Sequence, residues 1–283
     1  MTAKNYIKTA LLLGALTGLL LVVGRLIGGA TGLTIAIIFS VIMNFGALFV
    51  ADKLVLLMYR AYEAKGAEYK SLRETVGDVA KQAGMPTPKV YIIPSENPNA
   101  FATGRSPKHS VVAVTQGIMK LLSKEELKGV IAHEMSHIKN RDMLVATVAA
   151  TIAGVISYLA YMARFAAMFG GARDDREGGG IVGLLALAIL TPIIAVILQL
   201  AISRSREYLA DESGARTIKN PKALASALAK LEAASKIVPM RIGNPTTSSL
   251  FIVNPFSARG LSSLFSTHPP MEKRISKLNS LVI

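Results

Sequence analysis

The chain has 283 residues, 51% of them hydrophobic and 18% charged, with Lys+Arg 32 against Asp+Glu 18 for a formal net charge of +14, and its mean hydropathy is +0.43. That is more apolar side chain than a water-soluble domain of this length hides, so a membrane protein is expected; with no Trp and only 6% aromatics, a nucleic-acid surface is not. There is no cysteine, which excludes disulfides, thiolate catalysis and sulfur-held metals, so any metal must rest on His, Asp or Glu.

Thr9 to Gly24 carries no charge, and after Arg25 the chain is again uncharged from Leu26 to Ala51. Gly28, Gly29, Ala30, Thr31 and Gly32 read as a tight connection, so residues 1-52 are expected to form an N-terminal transmembrane hairpin. Lys4 and Lys8 before the first run also suit a signal peptide, but a second run following at once favours the hairpin. In the polar stretch 53-142, Tyr69 to Ala83 has a helical pattern. Lys89 to Ile93 and Ser110 to Thr115 are β-branched runs that read as strands. Ser123 with Glu126 forms a capping box, so a helix is expected from about Lys124 with Leu127, Val130 and Ile131 on its apolar face. Met143 to Ala163 and Gly178 to Ser203 are again uncharged, giving a second hairpin over 143-203 that contains Pro192 and Gln199. In 204-283 a helix opens at Pro221 and runs to about Ser235, followed by a Pro- and Ser-rich loop and a short terminal helix.

Of the 32 basic residues, at most Arg25, Arg164, Arg173 and Arg176 fall on the outer side of such a four-span arrangement. The positive-inside rule therefore puts both termini and both polar segments in the cytoplasm.

On the capped helix lies His133-Glu134-Met135-Ser136-His137. Residues four apart share a helix face, so both imidazoles can reach one ion. Glu134, about 100° around the helix, can act on a bound water as general base. The third protein ligand is open between His109, His268 and a carboxylate. Glu207 in SRSREYLAD is the carboxylate candidate, with Asp211 one turn further on to orient a ligand imidazole. The chain crosses twice between His137 and Glu207, which returns both to one side of the bilayer.

HEMSHIKNRD leading into an apolar run, SRSREYLAD, and STHPPMEKRI near the end together resemble the HtpX family of membrane-bound zinc metalloproteases, relatives of the prenyl-protein proteases. The resemblance covers essentially the whole chain, including the N-terminal spans and the stretch from Asn97 to Gly104. It implies that His133, His137 and Glu207 bind one Zn²⁺, that Glu134 is the base, and that the protein acts in quality control of membrane proteins under stress. The implied architecture is an α-helical integral membrane protein of four spans, with a mostly helical α+β, zincin-like catalytic domain on the cytoplasmic face of the cell membrane. That domain is split between 53-142, with the His-Glu-x-x-His helix, and 204-283, with the third zinc ligand.

Two further roles follow from chemistry. His268, held by Pro269 and Pro270, is a candidate donor to the oxyanion. The stretch from Asn97 to Gly104, with Asn99, Ala100 and Phe101 at its centre, is a candidate edge for an extended protein substrate. The expected partners are unfolded or membrane proteins and the lipid bilayer. A prenyl-protein-type protease is disfavoured by only four spans to enclose a lipidated tail. A metal transporter is disfavoured because every candidate ligand lies outside the apolar runs, and an inactive scaffold because the catalytic set is complete.

Overall fold

The computed structural model describes residues 2–23, 29–169, 179–235, 237, 251–253 and 268–283. The elements are α1 (Thr2–Val23), α2 (Gly29–Met58), β1 (Tyr62–Glu63), α3 (Lys70–Ala83), β2 (Lys89–Ile93), β3 (Ala100–Ser106), β4 (His109–Thr115), α4 (Gln116–Leu121), α5 (Lys124–Lys139), α6 (Asp142–Phe169), α7 (Gly179–Ile218), α8 (Pro221–Ser235) and α9 (Met271–Asn279). The chain divides into two compact units, one of residues 6–47 and 145–203, the other of 1–5, 48–144 and 204–283.

In the first unit, Leu16, Leu20 and Val23 of α1 form a buried cluster with Ala149, Ala153, Ile156 and Leu159 of α6 and with Ala195 and Ile202 of α7. Elsewhere these helices turn large apolar side chains outward, including Leu21, Val22, Ile35, Ile38, Ile42, Tyr161, Ile189, Leu190 and Ile197, a surface suited to lipid rather than water. Asp142–Arg164 and Ala188–Ile218 are each long and apolar enough to cross a membrane, and Ala10–Val23 is a shorter apolar helix. Pro192 lies inside α7 and cannot donate to the carbonyl of Ala188, four residues earlier. Arg164 takes over that carbonyl, its Nε and Nη2 donating at 3.2 and 2.8 Å. In a bilayer an unmet carbonyl is expensive, so this contact explains how the proline is tolerated.

The structure corrects one sequence expectation. Gly29 to Gly32 form the first turn of α2 rather than a connection, with Gly29 at φ 57° at its start, a value glycine accepts; residues 24–28 lie outside the described residues. The stretch from Asn97 to Gly104, read as a candidate edge, includes the first residues of the strand Ala100–Ser106. The lines drawn at residues 52 and 203 fall inside α2 and α7. The loop between the last two apolar runs, over 170–178, lies outside the described residues, as does most of the Pro- and Ser-rich stretch.

The second unit is built on a four-stranded sheet of order β1-β2-β4-β3. β2 runs parallel to β4, while β1 and β3 pair antiparallel. Between Thr103 and Ser106 the β3 register on β4 shifts. Gly104 has φ +133° there, and a Cβ would lie 2.1 Å from the His109 carbonyl, so only glycine fits. Val90, Ile92, Ala100, Ala102, Val112 and Val114 project from one face of the sheet onto α3, α5 and α8. From the other face Ile93, Phe101 and Ala113 pack with Val55, Tyr59 and Phe251, a two-sided burial that explains the β-branched runs.

α5 begins as expected: Ser123 Oγ accepts from the Glu126 N–H at 3.3 Å, and the Glu126 carboxylate accepts from the Ser123 N–H at 2.8 Å. Glu126 also ties α5 to α8 by accepting from Ser226 Oγ at 2.7 Å and Lys230 Nζ at 2.8 Å. Burial pushes its pKa up, but Lys230, Ser226 and Ser123 outweigh this and hold it at about 2. Since this lies below the ordinary value of 4.5, the carboxylate contributes fully above about pH 4.5 and loses its contribution as pH falls toward 2. Glu126→Gln should therefore lower Tm at neutral pH and flatten the acid limb of a Tm-versus-pH curve. An acid limb as steep as in the unsubstituted protein would show that other carboxylates set it.

Candidate metal centre

α5 supplies the two histidines one turn apart. Their rings stand at 90° with centroids 4.7 Å apart, and the two Nε2 atoms are 3.1 Å from each other. α7 brings Glu207 to the same point, its Oε1 3.4 Å from His137 Nε2 and its Oε2 3.8 Å from His133 Nε2. Donor atoms of all three residues thus lie within 4.8 Å of one another, a group that can hold a metal ion. This approach of α7 to α5 depends on Gly214, where a Cβ would sit 2.8 Å from the His133 backbone nitrogen. Among the described residues, this is the only such group.

Each histidine is oriented from behind. His133 Nδ1 lies 2.9 Å from Asp211 Oδ1, and His137 Nδ1 lies 2.7 Å from Asp142 Oδ2. Carboxylates accept, so both Nδ1 atoms carry hydrogen and both Nε2 atoms turn toward the shared point. Each aspartate is held in turn by an arginine. Arg274 donates to Asp211 from Nε at 2.8 Å and Nη2 at 2.7 Å, and its Nη1 is 3.2 Å from Glu207 Oε2. Arg206 donates to Asp142 from Nε at 2.6 Å and again from Nη2, and to the Asn140 carbonyl at 2.7 Å.

The electrostatics fit a cation at this point. Burial pushes the His137 pKa down, but Asp142 and Glu207 outweigh it and raise it to about 9. Burial also opposes the charge on Glu207, yet His268 and Arg274 keep it well below the ordinary carboxylate range. With the protein groups alone, a proton on His137 therefore takes the position that a divalent ion would take. His133 is pushed down by burial, which leaves a neutral imidazole, the form that ligates. Two histidine nitrogens and one carboxylate form a donor set typical of zinc.

Glu134, beside His137 and Glu207, reaches the sheet. It is 2% exposed, accepts from the Ala102 N–H at 2.9 Å, and burial raises its pKa to about 8. His268 Nδ1 is 3.0 Å from Glu207 Oε2, so this histidine joins the cluster. His109 does not, lying exposed at the start of β4 with Nδ1 3.1 Å from Ser106 Oγ. Asn99 and Ala100 sit at the β3 edge beside the cluster. The Phe101 ring projects to the opposite sheet face, 6.2 Å from Tyr59 and 5.3 Å from Phe251. Arg274, Asp142, Arg206 and Gly214 were not singled out from the sequence. Arg274 sits in Met271-Glu-Lys-Arg, where it reads as one charge of a solvated helix, yet it is fully buried. The available signal for Asp142 was its position just past the His-Glu-x-x-His helix, where Arg141 takes φ 54° and turns the chain back.

Residues 66–282 match Peptidase family M48. The chain is 57% identical over 276 residues to a protease HtpX homolog of Thermodesulfovibrio yellowstonii, covering 97% of this chain and 98% of the relative. It is 53% identical over 277 residues to the protease HtpX homolog of Thermococcus kodakarensis, covering 98% and 96%. In fold it is similar to the crystal structure of S. mikatae Ste24p, with TM-score 0.61 at 19% identity, covering 98% of this chain and just under two thirds, 66%, of that one. The chain belongs to peptidase family M48 and is a membrane-bound zinc metalloprotease.

Asp142→Asn keeps the shape beside His137 but removes the charge that orients it and that Arg206 neutralises. Zinc affinity, measured by competition with a chelator, is expected to fall about 10- to 100-fold. Unchanged affinity would mean that His137 is oriented without this carboxylate.

Proposed function

We propose that this protease hydrolyses peptide bonds of unfolded and membrane proteins at the cytoplasmic surface of the cell membrane, as part of proteolytic quality control under stress. In this reading His133, His137 and Glu207 hold the zinc, Asp211 orients His133, and Glu134 is the general base. His268 donates to the oxyanion, and Asn99, Ala100 and Phe101 form the stretch of β3 against which an extended substrate lies. The observation that carries it is the convergence of two imidazoles and a carboxylate with a fourth carboxyl, Glu134, held against the main chain of an edge strand.

Zinc, when bound, supplies a Lewis acid that polarises the scissile carbonyl and makes water acidic enough to lose a proton near neutrality. The rest is work for the chain. Glu134, held by the Ala102 N–H beside the three donors, is placed as a carboxylate to accept the proton of the attacking water and to return it to the departing amine. The Ala102 N–H keeps its Oε2 in register with β3, so base and peptide edge share one frame. His268, beside Glu207, has only a short distance to cover to an oxyanion formed at the same point. No covalent intermediate is required.

The charge distribution supports four spans with both termini and both polar segments in the cytoplasm. The unusual outward apolarity of α6 and α7 is what such spans need.

Two experiments test these assignments. Purified protein in detergent should cleave unfolded casein, lose that activity to a chelator and regain it with zinc. Glu134→Gln should keep one zinc per chain without cleaving, and Glu207→Ala should lose the metal itself; full zinc in the latter would move the third ligand elsewhere. For topology, the cysteine-free chain allows single labels: Asp174→Cys should react with a membrane-impermeant thiol reagent on intact cells and Lys120→Cys should not. The reverse pattern would invert the orientation.

A further inference from the structure

Phe251, Ile252 and Val253 lie along the open side of β3 and are almost wholly buried, at 0, 1 and 7% exposed. The Ile252 N–H donates to the Ala100 carbonyl at 3.2 Å, and the Ile252 carbonyl accepts from Arg274 Nη1 at 3.3 Å. Asn99 holds the next residue from both sides: its Nδ2 donates to the Val253 carbonyl at 2.7 Å, and its Oδ1 accepts from the Val253 N–H at 3.4 Å. Passing from Ile252 to Val253 steps back from Ala100 to Asn99, so the segment runs antiparallel to β3. Phe251 packs on Tyr59 and Phe101, with centroids at 4.9 and 5.3 Å, while Ile252 and Val253 join Ala100, Ala102 and Val112 on the other face. On β3 the next outward group is the Ala102 N–H, which goes to Glu134.

We propose that Phe251–Val253 is a resident occupant of the peptide-binding edge, and that an extended apolar stretch of substrate takes the Asn99, Ala100 and Arg274 positions by displacing it. The inference rests on the edge-strand reading of Asn99, Ala100 and Phe101 given above. Ala100 presents one carbonyl to that side and Asn99 one amide, so two strands cannot be served together. The occupant also indicates what the edge accepts: an aromatic residue followed by β-branched aliphatic ones. Folded proteins bury such sequences, and unfolded ones expose them. A substrate must therefore outcompete an internal Phe-Ile-Val, which selects against polar peptides, and its apparent affinity is reduced by the fraction of molecules in which the edge is clear.

The test uses the full-length, zinc-loaded protein. Ile252→Val and Ile252→Ala weaken the occupant without touching the metal or Glu134. KM for unfolded casein should fall about 2- to 10-fold for Val and further for Ala, with kcat not reduced. A KM that is unchanged or raised, with a lowered Tm, would make the segment a permanent fifth strand and overturn the proposal. Amide exchange on zinc-loaded Glu134→Gln, with and without casein, separates the two readings. Protection gained over 100–106 together with protection lost over 251–253 supports displacement. Protection gained over 100–106 with 251–253 unchanged overturns it while leaving the edge reading intact. No change over 100–106 overturns both.

Discussion

Arg274 is a full positive charge with no exposed surface, and the candidate centre is arranged around it. A buried guanidinium is tolerable only if its donors and its charge are met, and here Asp211 meets two donors while Glu207 lies against a third. Burial works against the cation, but Asp211 and Glu207 raise its pKa further, and Arg274 in turn holds Asp211 down at about 2. Asp211 is thereby fixed as an acceptor for His133 Nδ1, and Glu207 as an anion. One side chain from the last helix thus sets the tautomer of one histidine and the charge of the carboxylate beside it. The same guanidinium reaches the Ile252 carbonyl, which ties the segment beside β3 to the electrostatics of the centre.

Asp142 and Arg206 repeat this arrangement for His137. The two pairs differ in what they anchor: Asp142 is the first residue of α6, and Arg206 lies on α7 one residue before Glu207. Both histidines are therefore fixed by carboxylates from outside their own helix, and both carboxylates are fixed by arginines. Removing either arginine would leave a buried carboxylate without its counter-charge, a more damaging change than losing a surface ion pair.

Backbone proximity is the other requirement. α5 and α7 approach until the position of a Gly214 Cβ is 2.8 Å from the His133 nitrogen, and α5 meets α8 at Gly129, where a Cβ would be 3.0 Å from the Leu224 nitrogen. Glycine at these two points lets short side chains such as Asp211 and Glu207 span the gap between helices. Arg164 serves a related purpose in the apolar unit, where it meets the carbonyl left over by Pro192.

Much of this was readable in the sequence because it depends on local rules. The capping box, the strands Lys89–Ile93 and Ser110–Thr115, the helix from Pro221, and the turn-spaced His133 and His137 are each specified by neighbours a few residues apart. The apolar runs and the bias of basic residues likewise follow from composition alone. What the chain order does not contain is which distant residues meet. Arg274 lies 63 positions from Asp211 and looks like a surface charge until tertiary packing encloses it. Phe251–Val253 lies in what reads as a Pro- and Ser-rich loop, and its place beside β3 comes from hydrogen bonds to Ala100, Asn99 and Arg274. Glu207 could be nominated from spacing, from the even number of crossings and from the family resemblance, but its distance to the histidines, and that of His268 to it, come only from the fold. Local hydrogen bonding and periodicity determine the elements; the pairing of buried charges, which is favourable only when both partners leave water together, is decided by the tertiary structure.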